Sequence, residues 1–356
     1  MTESTIQMAH GAGGEMMQGL IRDLVLKHFG TDGKAGGMDV EVPLNSLDDG
    51  ATVGDWVFTI DAHTVRPLFY PGGDMGKLSA CGTINDLAVM GARPLALALS
   101  MVIEEGFPIT DLDRMLESLQ EVCRQSDVRV ITGDTKVVEK GGVEGVVFTT
   151  AGFGMRHPML DLNLQSVRKE RKFEGRWPRD SAVAPGDMII VSGSVGDHGA
   201  ALMSHREGYS YSTELRSDTA ALANMLGKAL EAGGVTAMKD PTRGGLSNAL
   251  NEWASKSGHG ILLFEDRVPV RQEVRSIGEL LGIDPYEVGN EGKAILAVVP
   301  EHVDGVLEAI RETPEGAEAA IIGEVTDEVT GVVLETIVGG RRIVDPPVGD
   351  PVPRIC

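Results

Sequence analysis

PGGDMGKLSACGTINDLAVMGARPLALALSMVI, residues 71–103, decides the fold. Proline and glycine at 71–73 mark a turn, Met75 to Met90 reads as a helix, and the apolar run Leu95 to Ile103 reads as a buried strand. Upstream, Val57 to Asp61 is a short strand ending on a carboxylate. Further back, HGAGG at 10–14 precedes Glu15 to Phe29, where Met17, Leu20, Ile21 and Leu24 share one stripe at helical spacing. Downstream, Leu112, Met115, Leu116, Leu119, Val122 and Cys123 follow a helical period behind Thr110, a candidate N-cap. Val128 to Thr132 is a strand running into GDT at 133–135, and Val146 to Ala151 is another.

From Met155 to Asp180 the chain turns charged and irregular, which predicts a surface connection. A second unit begins near Ala184. It reads as strand Met188–Val191, helix Thr219–Glu231, loop and helix Asp240–Ser255, and strands Ile261–Phe264 and Ala294–Val299. A helix with Val303, Val306, Leu307 and Ile310 on one face and strands Ile321–Val325 and Gly331–Ile337 close it. Strands and helices mixed without strict alternation predict an α+β protein. A chain of 356 residues suits two domains at roughly 150 residues each. The expected division is 1–183, 184–340 and a flexible tail, 341–356, kept extended by its prolines.

The 53 acidic against 32 basic residues leave a formal charge of -21, which gives nucleic acid and anionic membranes little to attract them. Leu95–Ile103 is far short of the roughly 18 apolar residues of a spanning helix, and MTESTIQMAH has no basic and then apolar leader. Three cysteines, Cys81, Cys123 and Cys356, make no disulfide framework and fit a reducing cytoplasm. The 46 glycines, nearly twice the usual ~7%, cluster in short signatures, as loops closing on a ligand do.

Asp61, Asp74, Asp86 and Asp240 each adjoin turn-forming or strand-ending residues. Oxygen-only ligands suit Mg2+, which binds through carboxylates and substrate phosphates. Asp before Gly or Pro is also ordinary turn chemistry or a helix cap, so only the set points to a metal. HGAGG is a candidate phosphate cradle, its glycines exposing backbone N–H groups ahead of a helix, although it is neither a Walker A loop nor a dinucleotide fingerprint. GDTK at 133–136 adds a hydroxyl and an ammonium at a strand end, and DPTRGG at 240–245 adds Thr242, Arg243 and two glycines. Cys81 and Cys123 read as core packing, and His10 and His63 as neutral hydrogen-bonding groups.

Together HGAGG, PGGDMGKLSACGTINDLAVMGARP, ITGDTKVV, DPTRGGLSNALNEWA, NEGK and the closing PRIC resemble the HypE family of hydrogenase maturation factors, carbamoyl dehydratases that make thiocyanate on their own C-terminal cysteine. The match is collinear over essentially the whole chain. The glycine loops and aspartates are shared with the wider superfamily of aminoimidazole ribonucleotide synthetase, selenophosphate synthetase and thiamine-monophosphate kinase, whereas PRIC specifies the member. The resemblance implies a two-domain, α+β, PurM-like homodimer with an extended C-terminal tail and ATP held near the dimer interface. It implies ATP contacts at Gly13, Gly14, Asn85 and Thr135 and Mg2+ on Asp61, Asp74, Asp86 and Asp240. It also implies that the carbamoyltransferase HypF loads Cys356 and that a HypC–HypD scaffold complex accepts the cyanide.

A thiocarbamate loses water readily only after its carbonyl oxygen is phosphorylated, because oxide is a poor leaving group. Charge neutralisation for that transfer is expected from Mg2+ and Lys136. Loss of phosphate then needs a base for the nitrogen proton, which works best with its pKa moved upward. Glu291 in GNEGK is the candidate, with a solvated loop carboxylate as the plain alternative. Cys356 ends the arm two residues after Arg354, whose charge favours a thiolate. Two rivals are a small-molecule phosphotransferase or ligase of the same superfamily and a non-catalytic swinging-arm carrier. ATP hydrolysis that depends on the loaded tail separates a dehydratase from a carrier.

Overall fold

The computed structural model describes residues 5–11, 13–30, 33–206, 215–347, 349, 352 and 354–356. Ala12 of the glycine loop and Val348, Asp350, Pro351 and Pro353 of the tail lie outside the described residues. In the N-terminal half, helix α1 (Glu15–Leu20) is followed by β1 (Ala51–Val53), β2 (Trp56–His63), α2 (Met75–Val89), β3 (Ala92–Glu104), α3 (Ile109–Gln125), β4 (Arg129–Val138), β5 (Val146–Arg156) and α4 (Leu160–Glu170). The strands form one sheet in the order β1-β2-β5-β3-β4, with only β3 and β4 parallel.

Helix α2 is the spine of this half. Asp74 caps it, accepting the Gly76 and Lys77 N–H groups at 2.8 and 3.0 Å, and every residue of α2 except Lys77 and Asp86 is buried. A helix apolar on nearly all sides must be enclosed. Gly76 makes the enclosure possible, since a Cβ there would lie 1.7 Å from the Met115 carbonyl oxygen on α3. On the other face of the sheet, Phe58 and Ile60 of β2 are exposed, and so are Val130, Ile131 and Val137 along the edge strand β4.

The C-terminal half holds β6 (Met188–Val191), α5 (Asp197–Arg206), α6 (Ala223–Ala232), β7 (Val235–Lys239), α7 (Gly245–Ser257), β8 (Gly260–Phe264), α8 (Gln272–Leu281), β9 (Ile295–Val298), α9 (Val303–Arg311), β10 (Ala320–Thr326), β11 (Val332–Glu335) and β12 (Arg341–Ile343). Its sheet runs β7-β9-β6-β10-β8-β11-β12, so the residues from 341 onward begin as an edge strand before the tail departs. One core joins the halves, with Leu87 and Met90 packed among Leu160, Leu226, Leu296 and Ile310. The mixed sheets make the α+β expectation correct.

Four local readings differ. Residues 155–180 are not a bare surface connection: Leu160, Leu164 and Val167 form the buried stripe of α4, and Trp177 and Asp180 are buried as well. The dense charges of that segment line the opposite face and mask the stripe. Thr110 lies inside α3, whose N-cap is Pro108. GDTK lies within β4, not at a strand end. The expected helix Glu15–Phe29 is broken by a π turn, Ile21–Val25, and none of Met17, Leu20, Ile21 or Leu24 is buried.

Candidate active site

Strand β2, helix α2 and the end of β7 bring Asp61, Asp86 and Asp240 together with Asp49 of the loop before β1. Thr59 Oγ1 lies 2.7 Å from an Asp86 carboxylate oxygen and 2.8 Å from the Asp49 carbonyl oxygen, and its single proton serves one of them at a time. Burial, and then the charges of Asp61, Asp240 and Asp49, push the Asp86 carboxyl well above its usual range. Asp240 is raised by burial and by Asp49 in the same way, and its Oδ2 is buried with no hydrogen-bond partner. Repelling buried carboxylates with an orphaned oxygen call for a cation. Among the described residues no three His, Cys, Asp or Glu side chains converge into a ready-made metal cage. That donor set suits Mg2+, which keeps waters and takes its remaining ligands from phosphates.

Glu291 stands beside this cluster in the loop before β9. It is buried, its Oε1 has no hydrogen-bond partner, and burial followed by Asp240, Asp218 and Asp61 raises its pKa well above the normal carboxyl value. Its backbone N–H donates to Asp218 Oδ1 at 3.0 Å. The plain alternative of a solvated loop carboxylate is thereby excluded. Arg243, half-buried, supplies the positive charge: its pKa is raised by Cys356 first, and also by Asp61, Glu291 and Asp86.

Several residues expected at the site are spent on structure. Asp74 uses both carboxylate oxygens, one on the α2 cap and the other accepting from Ser118 at 2.6 Å, so it is a cap and not part of the acidic cluster. Asn85 brackets the chain before α6, donating to the Ala220 carbonyl at 3.0 Å and accepting from Leu222 N–H at 2.8 Å. Gly13 and Gly14 serve close packing, not an open cradle. A Cβ on Gly13 would press on Arg243 at 3.0 Å, and one on Gly14 would lie 2.1 Å from the Pro347 carbonyl oxygen. Thr135 and Lys136 sit exposed on β4 opposite Met101 and Val102, and among the described residues no hydrogen bond or ion pair joins them to the acidic cluster. His63 is neutral as expected, since burial holds its pKa down at about 4 while it shares a 3.2 Å hydrogen bond with Thr150.

The tail is docked along the body. Ser247 and Asn251 of α7 donate to the Asp345 and Val344 carbonyls at 2.5 and 2.8 Å. Val352 and Ile355 are buried in the same core as α2, and Arg354 pairs with Glu144. The terminal carboxylate of Cys356 accepts from the Thr64 hydroxyl at 3.5 Å, and the Cys356 side chain is half-buried. Cys81 and Cys123 are packing residues, their thiols pushed up to about 12 and about 11 by burial.

Sequence reasoning missed the ion cluster that locks the halves beside the site. Lys239 Nζ lies 2.7 Å from Asp49, 3.2 Å from Asp180 and 3.0 Å from Glu252. Lys256 lies 2.6 Å from Asp180 and 3.2 Å from Asp48. It also missed His198 and Asp218, for which no motif gave a signal.

Fold and site together define an AIR synthase-type enzyme. The family described as AIR synthase related protein, N-terminal domain, matches residues 47–155, and its C-terminal domain counterpart matches 184–335. The chain is 48% identical over 356 residues to a putative hydrogenase expression/formation protein of Methanocaldococcus jannaschii, covering 99% of each chain. It is 44% identical to the carbamoyl dehydratase HypE of Rhizobium leguminosarum bv. viciae, covering 99% of this chain and 95% of that one. The crystal structure of a HypE–HypF complex superposes with a TM-score of 0.82 at 37% identity, over 92% of this chain and 99% of that chain. The hydrogenase maturation protein HypE crystallised with ATP gives 0.78 at 35% identity, over 99% and 100%. The chain belongs to the HypE family of carbamoyl dehydratases.

Proposed function

We propose that the chain dehydrates a carbamoyl group carried on its own Cys356 at the expense of ATP, giving the sulfur-bound cyanide used in hydrogenase maturation. The observation that carries this reading is the seat of the tail. Of the charges that raise the Arg243 pKa, Cys356 at the end of the docked arm comes first, ahead of Asp61, Glu291 and Asp86. The same guanidinium thus responds to the charge at the end of the tail, in the acidic cluster and on the base.

In chemical terms, the carbonyl oxygen of R–S–C(=O)–NH2 attacks the γ-phosphorus of ATP, ADP leaves, and nitrogen gives up one proton to solvent to form R–S–C(=NH)–OPO3. Glu291 accepts the remaining nitrogen proton as the C–O bond breaks, which leaves R–S–C≡N and phosphate. A buried carboxylate of raised pKa is suited to that transfer. Asp61, Asp86 and Asp240 would hold Mg2+, which when bound neutralises charge on the phosphoryl group. Arg243 is placed to offset phosphate charge in a protein whose net charge is -21.

We assign Lys136 and Thr135 to a site completed by a second copy of the chain. The exposed Phe58, Ile60, Ile131 and Val137 give the outer sheet face the apolar character of a homodimer contact. The carbamoyltransferase HypF is the loading partner and a HypC–HypD scaffold the cyanide acceptor, in the cytoplasm where thiols stay reduced.

Intact-mass measurement of the C-terminal peptide tests the proposal. Loaded wild type should lose one water when ATP is added, and Cys356→Ala should yield no cyanide. A carbamoyl group mapped to Cys81 or Cys123, or cyanide formation by Cys356→Ala, overturns it.

A further inference from the structure

We propose that His198 is the positioning residue that registers the docked tail, gripping it at the carbonyl of Ile355, one residue before the reactive thiol. The inference deepens the dehydratase reading and rests on it for the identity of the reacting group.

His198 lies on α5 and is fully buried. A carbonyl oxygen can only accept, so the 2.8 Å contact between His198 Nε2 and Ile355 O requires the ring proton on Nε2. Nδ1 must then accept, and Ser217 Oγ donates to it from 2.8 Å. Ser217 Oγ in turn accepts the Thr219 N–H at 3.1 Å and the Thr219 hydroxyl at 2.6 Å. Tyr70 closes the array, its hydroxyl 3.3 Å from Thr219 Oγ1 and its ring edge-on to the imidazole with centroids 5.5 Å apart. Both the tautomer and the ring plane of His198 are therefore dictated by its neighbours. Burial also holds its pKa below the usual value, which keeps it neutral.

The tail is read at two successive carbonyls. Arg206, at the end of the same helix α5, donates to the Arg354 carbonyl, which also accepts from Arg66 N–H at 3.1 Å. The Ile355 side chain enters a seat at Gly289, where a Cβ would lie 2.4 Å from Ile355 Cδ1. A strap of four residues, Ser217 to Ala220, connects this grip to the base. Ser217 holds His198 at one end. Asp218 accepts the Glu291 N–H at 3.0 Å, and Ala220 N–H donates to the Glu291 carbonyl at 3.3 Å. The residue before the thiol and the backbone of Glu291 are thus fixed to the same short segment. His198 touches no reacting atom and acts by holding the distance between sulfur and base.

The test compares His198→Leu, His198→Gln and Ile355→Ala in the full-length protein by two readouts. The first is the rate of iodoacetamide alkylation at Cys356, mapped by mass spectrometry, which follows the released fraction of the tail. The second is the single-turnover dehydration rate after loading, beside the KM for ATP. Loss of one buried hydrogen bond or one seated side chain should speed alkylation and slow dehydration each about tenfold in His198→Leu and Ile355→Ala, with the ATP KM unchanged. His198→Gln retains an amide donor at the Nε2 position and should stay within about threefold of wild type. Unchanged alkylation in Ile355→Ala, which alters only the tail, overturns the proposal even if His198→Leu fails to fold. Absence of dehydration in wild type would overturn the dehydratase reading alone, because the alkylation comparison stands without it.

Discussion

Two groups of carboxylates flank Asp240, and Asp180 in one of them is held down while Glu291 and Asp86 in the other are raised. Around Lys239 and Lys256, burial would push Asp180 upward, yet the two ammonium groups outweigh it and hold the carboxyl at about 2. Across Asp240, no lysine pairs with Glu291 or Asp86 among the described residues, and burial carries both well above the ordinary range. Glu291 is as deeply buried as Asp180, so between those two the difference lies in counter-charge. Even within the lysine cluster the supply runs short: Asp48 and Asp49 remain raised by burial, to about 7 and about 6, because two lysines face Asp48, Asp49, Asp180 and Glu252. Paired carboxylates join the two halves of the molecule, whereas unpaired ones are left for a proton or a metal ion.

The largest expected effect falls on the unpaired side. Glu291→Gln should cut single-turnover dehydration by about 10²–10⁴ while leaving ATP binding and carbamoyl loading intact, since the amide keeps the shape and loses the basicity. The check is the loaded C-terminal peptide after ATP addition, which should remain carbamoylated or phosphorylated and not become cyanide. Dehydration at the wild-type rate would remove Glu291 from the reaction.

On the paired side the same kind of substitution should damage stability and not chemistry. Asp180→Asn leaves Lys239 and Lys256 buried without their shared partner, which costs about 3–5 kcal/mol. Asp180 also accepts the Trp253 Nε1–H at 2.8 Å, so the loss reaches the core of the C-terminal half. The pH dependence has a definite sign. A carboxyl held at about 2 against an ordinary 3.8 contributes stability above its unfolded pKa that is lost as pH falls through the folded value. Urea unfolding should therefore give a wild-type advantage over Asp180→Asn that is full above about pH 4 and shrinks toward pH 2. An advantage independent of pH in that window would show that the ion pairs do not supply it.

Much of the architecture was legible because α2 and β3 announce themselves. A capped helix of small and apolar residues followed by an apolar run has few folded uses other than a buried spine and a central strand. The stripe of α4 was hidden because Leu160, Leu164 and Val167 are diluted by charged neighbours, and α5 and β7 lie in segments with no clear period, whereas α8 carries Val274, Ile277 and Leu281 at helical spacing and was passed over. At the site, Glu291 and Asp240 were recognisable from glycine and proline neighbours, but the same neighbours marked Asp74 and Gly14, which serve capping and packing, while Asp86 and Asn85, between Ile84 and Leu87, have no such neighbour. A turn signal reports backbone geometry and not the use made of the side chain. Lys239 with Asp49 and His198 with Ile355 join positions 190 and 157 residues apart. Spacing along the chain carries no trace of such contacts.

The smallest effect is the sharpest test of the contrast. Asp240 follows Lys239 in sequence, yet Lys239 points its ammonium at Asp49, Asp180 and Glu252 and leaves Asp240 Oδ2 without a hydrogen-bond partner. In metal-free buffer Asp240→Asn removes a repelled charge, so stability at neutral pH should be unchanged or raised by on the order of 1 kcal/mol. A carboxyl with a raised folded pKa contributes stability below its unfolded pKa and loses it as pH climbs through the folded one. The gain in Asp240→Asn should accordingly vanish in acid, the reverse of the Asp180→Asn profile. Calorimetric titration with Mg-ATP should meanwhile give an affinity at least about tenfold weaker, near 1.4 kcal/mol, because one oxygen donor has gone. If Asp240→Asn instead lost stability as Asp180→Asn does, or bound Mg-ATP as wild type does, Asp240 would belong with the paired carboxylates and the division of labour between the two groups would fail.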